Sequence, residues 1–142
     1  MTESILRPAL AADPRLVAGF TTRVFSPADE GLAAARARLG DATGLPIASV
    51  GQVHGADVAT VREAGHVEAH DGLVTDRPGL LLSVIAADCA LVLLADAEAG
   101  VVGACHSGWR GTVAGIVGET VQAMEALGAE PTRMQAYLAP CI

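Results

Sequence analysis

The chain has 142 residues, a formal net charge of −7 and a hydrophobic fraction of 51%, while aromatic residues make up only 3%. This length predicts one compact domain over residues 1–142, with a core of Ala, Val and Leu. The acidic balance argues against non-specific binding to nucleic acid or anionic membranes, which requires clustered cations. All nine basic residues are Arg. Schiff-base chemistry at a lysine and the phosphate-loop lysine motif are therefore excluded.

The cysteines and the apolar runs indicate the compartment. Cys89, Cys105 and Cys141 are an odd number without paired spacing, which is typical of a reducing compartment and argues against a disulfide framework. The N-terminal residues lack the basic and apolar segments of a signal peptide. The longest apolar run, residues 80–95, contains Asp88 and is too short to span a bilayer. We expect a soluble cytoplasmic protein with no membrane partner.

The first half of the chain alternates short apolar segments with turn signals. Ser26, followed by a proline and two acids, is a typical helix start, and Gly40 is a typical residue to follow a helix end. The polar residues 63–71 are predicted to form a loop that closes with the turn signal Asp71-Gly72. The predicted strands of this half cover residues 16–22, 47–53 and 58–62.

The second half is richer in apolar segments. Residues 96–100 are expected to join two strands as a hairpin. Apolar residues at helical spacing over 112–127 predict one long amphipathic helix. The predicted strands here cover residues 73–75, 80–86, 90–95, 101–105 and 134–138. Together these elements predict an α/β fold of the mixed α+β kind, in which helices pack on a mixed sheet.

Asp88 and Cys89 interrupt the longest apolar run. A buried carboxylate and thiol are costly unless they are paired or bind a ligand, so the interruption indicates a site. On a strand the two side chains would face opposite ways. Asp88 would then act beside a metal-bound water as a supporting carboxylate or general base. The alternatives are that Asp88 caps a turn and that Cys89 is a small core residue.

His54 and His106 stand at the ends of two other apolar segments. Two imidazoles and one thiolate are a common zinc set, and three protein ligands with one open position are the catalytic arrangement. We therefore predict a metal site at His54, Cys89 and His106. The separations of 35 and 17 residues are not those of a zinc finger. The alternative is that each histidine is a surface or hydrogen-bonded residue.

Three further residues are candidates for binding substrate. Arg110, between two glycines and ahead of a helix, is suited to an oxyanion or phosphate, although it could equally be a surface residue over Trp109. Arg23, which follows the first predicted strand, is a second phosphate candidate. Gln52, beside His54 in sequence, would hydrogen-bond a base edge.

The sequence resembles the YfiH family, also described as multicopper polyphenol oxidase or laccase-like. The resemblance rests on segments that occur in the family order and cover most of the chain. They are GFTTR (19–23), QVHGADV (52–58), DGLVTDRPGL (71–80), AADCALVLLAD (86–96), HSGWRGT (106–112) and YLAPCI (137–142).

This resemblance implies a mixed α/β fold similar to cysteine hydrolases, and metal ligands at His54, Cys89 and His106. It also implies phosphorolysis of purine nucleosides by phosphate, with adenosine deamination as a second activity. Combined with the zinc set derived above, this predicts a zinc-dependent enzyme, in which we expect Asp88, Cys89 and Arg110 to be catalytic. Relative to the family pattern, the chain is shorter between Arg23 and Gln52 and lacks the family's C-terminal part.

Three alternatives stay open on sequence. Laccase-like oxidation needs several copper centres with many histidines, and four histidines are few for that chemistry. A cysteine hydrolase would use Cys89 as nucleophile and His106 as base. A non-catalytic protein would hold zinc for structure alone. The sequence leaves the oligomeric state open.

Overall fold

The computed structural model describes residues 5–6, 12–22, 25 and 30–142. A turn of 3₁₀ helix over Pro131–Arg133 precedes the last strand. In chain order the elements are β1 (Ile5–Leu6), β2 (Phe20–Thr21), α1 (Leu32–Thr43), β3 (Ile47–Gly51), β4 (Val58–Thr60), β5 (Gly65–Glu68), β6 (Gly72–Thr75), β7 (Leu81–Ser83), β8 (Ala90–Asp96), β9 (Val101–Ser107), α2 (Trp109–Ala114), α3 (Ile116–Ala126) and β10 (Gln135–Leu138).

A five-stranded mixed sheet in the order β10-β8-β9-β6-β4 carries most of the core, and β5, β3 and β7 form a parallel three-stranded sheet. The residues of β6 are buried on both faces of the larger sheet. Val74 packs with Ile116 and Met124 of α3, whereas Leu73 packs with Val50 of β3. The larger sheet is therefore sandwiched between α3 and the smaller sheet, which confirms the predicted mixed α+β fold.

The predicted hairpin is confirmed. β8 and β9 pair antiparallel from Ala90 opposite Ser107 to Asp96 opposite Val101. Alternation along this ladder sends Cys105 into the core under α3 and turns its neighbour His106 toward the other face. One end of the hairpin thus brings the start of β8 and the end of β9 together, and these are the positions of Cys89 and His106.

Several predicted boundaries are wrong. The first strand is limited to Phe20–Thr21, and α1 continues past Gly40 to Thr43. The helix start predicted at Ser26 lies outside the described residues. The predicted loop over residues 63–71 contains β5, whose edge position beside β3 tolerates polar side chains.

The predicted helix over residues 112–127 is two helices. The first begins earlier, at Trp109, and the chain turns at Gly115, which adopts a left-handed φ of 88° that ends one helix and starts the next. This break lets α2 lie against the end of β9 while α3 crosses the sheet. None of the helices in the described ranges combines the length and apolar character that crossing a bilayer requires.

The packing of α3 on β9 depends on close approach at Gly103. A Cβ atom there would lie 2.9 Å from Met124 Sδ and 3.1 Å from Thr120 Cγ2, both fully buried. We predict that Gly103→Ala lowers the free energy of unfolding by about 1–3 kcal/mol through overpacking. Gly118→Ala is the matched control, because its Cβ meets open space on α3, and it should raise stability by up to about 1 kcal/mol. Urea unfolding followed by circular dichroism measures both, and equal effects would contradict the packing.

A second prediction concerns Asp96, whose buried carboxylate joins the hairpin turn to the segment before β10. It accepts hydrogen bonds from the Arg133 guanidinium and the Glu130 N–H, each at 2.8 Å. These bonds hold the pKa of Asp96 well below its usual range. A folded-state pKa below the unfolded value stabilises the protein above about pH 4, and the gain is lost as the pH falls. Asp96→Asn should lower stability at pH 7 and flatten its decline toward pH 3 in urea titrations; an unchanged pH dependence would contradict this.

Candidate metal centre

Three segments distant in sequence meet at one end of the larger sheet. His54 follows β3, Cys89 precedes β8 and His106 lies near the end of β9. One ligand atom from each lies within 4.8 Å of the other two, and the His54 and His106 rings meet edge to face with centroids 4.8 Å apart. His106 is buried, Cys89 is half-buried and His54 is exposed. The group is therefore closed on the protein side and open toward solvent.

Asp71 holds His106 in place from beneath the site. Its side chain is fully buried, and its Oδ1 lies 2.8 Å from Nδ1 of His106. The backbone N–H of His106 also donates to the Asp71 carbonyl at 2.7 Å. Since a carboxylate only accepts hydrogen bonds, Nδ1 carries the proton and the lone pair of Nε2 is left for a ligand. A carboxylate behind a metal-binding histidine fixes its orientation in this way.

The same carboxylate shapes the loop that carries His54. Three consecutive backbone N–H groups, of Val53, His54 and Gly55, donate to Asp71 at 2.8–3.0 Å. Successive N–H groups that converge on one anion form a backbone nest. The nest holds His54 at a φ of 62°, which is uncommon for a residue with a Cβ. Burial raises the pKa of Asp71, but the hydrogen bonds from His106 and the backbone outweigh it, so the net pKa lies below its usual value.

Gly108 provides space beside the three candidate ligands. A Cβ at this position would lie 3.0 Å from His54 Cδ2, 3.3 Å from Cys89 Sγ and 3.4 Å from His106 Cε1. Thr112 fixes the turn, because its hydroxyl donates to the Gly108 carbonyl at 2.9 Å. Any side chain at residue 108 would press on all three candidate ligands.

The expected burial of Asp88 is wrong. The apolar run divides into β7 and β8, and Asp88 lies exposed in the bend between them. The carboxylate that supports a candidate ligand from the interior is that of Asp71. In the pairing of β6 with β9, Gly72 is opposite Cys105, so the preceding residue Asp71 comes opposite His106. A proton-transfer role for Asp88 stays a prediction.

The structure describes two of the three predicted substrate residues, Gln52 and Arg110. Both side-chain amide atoms of Gln52 bond to the backbone of Ile85, at 2.7 and 2.8 Å, and so join the end of β3 to the segment after β7. Arg110 is exposed, with its guanidinium carbon 5.2 Å from the centre of the Trp109 ring. Substrate contacts by Gln52 and Arg110 stay predictions, and Arg23 lies outside the described residues.

The other two histidines make separate contacts. His66 Nδ1 lies 2.9 Å from the hydroxyl of Ser49, and His70 Nδ1 lies 2.7 Å from the Glu68 carbonyl. All four histidines are in the described part of the chain, where one group of three or more potential metal ligands occurs.

Residues 25–142 match the family described as multi-copper polyphenol oxidoreductase laccase, and the chain belongs to this family. A Deinococcus radiodurans protein named purine nucleoside phosphorylase is 48% identical over 110 residues, which cover 75% of this chain and 43% of that protein. A protein from an unknown prokaryotic organism, named adenosine deaminase RL5, is 42% identical over 76 residues, or 54% of this chain and 29% of that protein.

Solved structures show the same fold. YlmD from Geobacillus stearothermophilus superimposes with a TM-score of 0.71 at 34% identity, over 76% of this chain and 45% of that one. The Bacillus licheniformis protein YfiH gives a TM-score of 0.71 at 29% identity, over 77% and 46%. The resemblance to the YfiH family is thereby confirmed. The chain spans under half the length of each of these relatives.

We predict that Asp71→Asn weakens zinc binding about 10- to 100-fold, because the amide cannot accept from His106 and all three N–H groups at once. Asp57→Asn is the matched control. It is an exposed acid of the same loop, whose backbone carbonyl, not its side chain, accepts from Asp71 and Gly72. Competition titration with a chromogenic chelator measures the affinities, and circular dichroism checks folding. Equal affinity of a folded Asp71→Asn protein and the unchanged chain would contradict the role of Asp71.

Proposed function

We propose that the chain is the metal-binding part of a purine nucleoside phosphorylase. The reaction converts adenosine, inosine or guanosine and phosphate into the free base and ribose 1-phosphate. The observation that carries the proposal is the convergence of His54, Cys89 and His106, with one ligand atom of each within 4.8 Å. The relative named purine nucleoside phosphorylase, at 48% identity, supports the same substrate class.

The donor set suits zinc. Tetrahedral zinc with bonds of about 2.0–2.1 Å to nitrogen and about 2.3 Å to sulfur places its ligand atoms roughly 3.3–3.6 Å apart. The three donors lie within 4.8 Å of one another, and an inward adjustment of the side chains would bring them to that spacing. Two imidazoles and one thiolate would leave one position free for water or substrate, and the exposure of His54 opens the group to solvent. We therefore propose zinc as the cofactor.

Copper is the less favourable cofactor. A His₂Cys set also occurs at single copper sites, but multicopper oxidation requires several centres with many histidine ligands. Two of the four histidines here are held by Ser49 and Glu68 outside the group. The donor set of this chain therefore does not suit the multicopper oxidation that the family description names.

The residues around the centre have separate proposed roles. A zinc ion bound here would polarise a substrate oxygen or lower the pKa of a water to near 7. Asp71 keeps the Nε2 lone pair of His106 directed at the centre, and Asp88 transfers a proton from its exposed position beside Cys89. Arg110 and Arg23 supply positive charge for phosphate, and Gln52 contacts the base. The substrate is thus a small purine nucleoside with phosphate, and no macromolecule is required.

Adenosine deamination is a second candidate activity. It is favoured by the relative named adenosine deaminase RL5 and by the donor set, because zinc deaminases pair the metal with a nearby carboxylate that moves protons. Asp88 is the proposed carboxylate. Deamination releases ammonia and inosine without phosphate, so the products separate the two reactions.

One geometric feature favours a cysteine hydrolase instead. Cys89, His106 and Asp71 stand in the order nucleophile, base and orienting acid, with the His106–Asp71 bond at 2.8 Å. This arrangement does not need His54, yet Asp71 holds the His54 backbone with the same carboxylate. The shared support of both histidines favours the metal-dependent function.

The proposal predicts that the zinc-loaded protein forms ribose 1-phosphate and free base from inosine and phosphate. His54→Ala and Cys89→Ser should each lose stoichiometric zinc and turnover together. His70→Ala is the matched control, because His70 bonds only to a backbone carbonyl outside the group in the described structure, and it should keep both. Chromatography of the products and elemental analysis of the protein are the measurements.

Two outcomes would contradict this function. Retention of zinc by Cys89→Ser would refute the ligand set. The activity would be refuted if the zinc-loaded chain were inactive even after fusion to the part of a relative that this chain does not cover. Iodoacetamide distinguishes the hydrolase: a nucleophilic Cys89 is alkylated whether or not zinc is present, whereas a ligand is protected by zinc.

A further inference from the structure

The chain beyond β10 continues to run beside β8. The two strands pair antiparallel up to Leu138 opposite Val92. The N–H of Ala139 then donates to the Leu91 carbonyl at 2.9 Å, which extends the same register by one residue. The last residues therefore follow β8 back toward the bend that carries Cys89.

A second hydrogen bond closes this extension. The N–H of Ile142 donates to the Asp88 carbonyl at 3.2 Å. Between this bond and the previous one lie two residues on each side, with Cys141 on one side and Cys89 on the other. The two bonds flank Cys141 and Cys89 on both sides, and the two segments that carry the cysteines therefore lie side by side.

The closeness of the two segments suits a covalent bond. Backbone hydrogen bonds hold them about as near as paired strands, whose Cα atoms are about 4.5–5.5 Å apart, and disulfides adopt Cα separations of about 4.4–6.8 Å. Cys89 contributes its sulfur to the group with His54 and His106, and Cys141 lies exposed in the segment beside it.

We propose that Cys89 and Cys141 form a reversible disulfide, and that this bond disables the metal centre by removing its sulfur ligand. Cys141 is exposed and Cys89 is half-buried, so both are accessible to a small oxidant. The disulfide removes one of three protein ligands and leaves two imidazoles. The inference goes beyond the proposed enzyme activity, and its metal-release step rests on the proposed zinc centre.

The oxidant in this step is a low-molecular-weight disulfide such as oxidised glutathione. The Cys141 thiolate attacks one of its sulfurs and releases a first small thiol. The Cys89 sulfur then attacks Cys141 in the mixed disulfide and releases a second small thiol. The two protein thiols lose two electrons and two protons, which the oxidant takes up as two thiols. Excess reduced thiol reverses the exchange, so the switch is compatible with a reducing compartment.

Cys105 is the natural control thiol. It is fully buried in the core against α3 and lies outside the group of His54, Cys89 and His106. Burial raises the pKa of the Cys105 thiol, which disfavours its thiolate. Cys105→Ala therefore removes the third sulfur without touching the proposed pair. The substitution is needed because trypsin leaves Cys89 and Cys105 in the same peptide, which ends at Arg110, the nearest following arginine.

The test uses the Cys105→Ala protein in metal-free and zinc-loaded forms. Each is treated with oxidised glutathione, digested with trypsin and analysed by mass spectrometry. We expect residues 134–142 linked to the peptide that holds Cys89, and release of bound zinc detected with a chromogenic chelator. Dithiothreitol should restore zinc binding. Adding Cys141→Ser should abolish the linked peptide and the reversible release, with zinc affinity before oxidation unchanged.

Each remaining outcome decides against the proposal. No linked peptide in the metal-free form, or linkage between two chains on a non-reducing gel, overturns the pairing. A linked peptide with zinc still bound overturns the switch. A fall in zinc affinity of the Cys141→Ser protein without oxidant would make Cys141 a fourth ligand. A chain that binds no zinc but forms the disulfide keeps the pairing, removes the release step and refutes the proposed zinc centre instead.

Discussion

The carboxylate of Asp71 is the group on which the candidate site depends. It is fully buried, yet it accepts from one imidazole and three backbone N–H groups. A buried carboxylate without such partners is strongly unfavourable, so the loop after β3 and the end of β9 must both adopt their observed positions around it. One side chain therefore positions two candidate ligands from segments about 50 residues apart.

Most of the strands and the three candidate ligand residues are accessible from sequence, because each depends on local pattern. Short apolar runs predict β8 and β9, and His54 and His106 stand where such runs end. Asp71 was missed because Asp-Gly is also a common turn signal. Only the pairing of β6 with β9 places Asp71 opposite His106, and pairing between strands is not a local property.

The remaining errors have the same origin. The apolar residues over 112–127 keep helical spacing across Gly115, so the sequence pattern gives no sign of the break. The break is visible only in the structure, where Gly115 adopts a left-handed φ. Asp88 was expected to be buried because apolar residues flank it on both sides. The run divides into two strands, and the bend between them exposes the carboxylate. Polar composition likewise concealed β5, which the edge of a parallel sheet accommodates.

The candidate metal centre and the proposed disulfide share one residue, Cys89, just before β8. Its neighbours in space come from the loop after β3, the end of β9 and the extension of β10. The most direct test is X-ray absorption spectroscopy of the zinc-loaded chain under reducing conditions. The account predicts one sulfur at about 2.3 Å and two imidazole nitrogens at about 2.0 Å, with a lighter atom in the fourth position. A zinc shell without sulfur, or with two sulfurs, would contradict it.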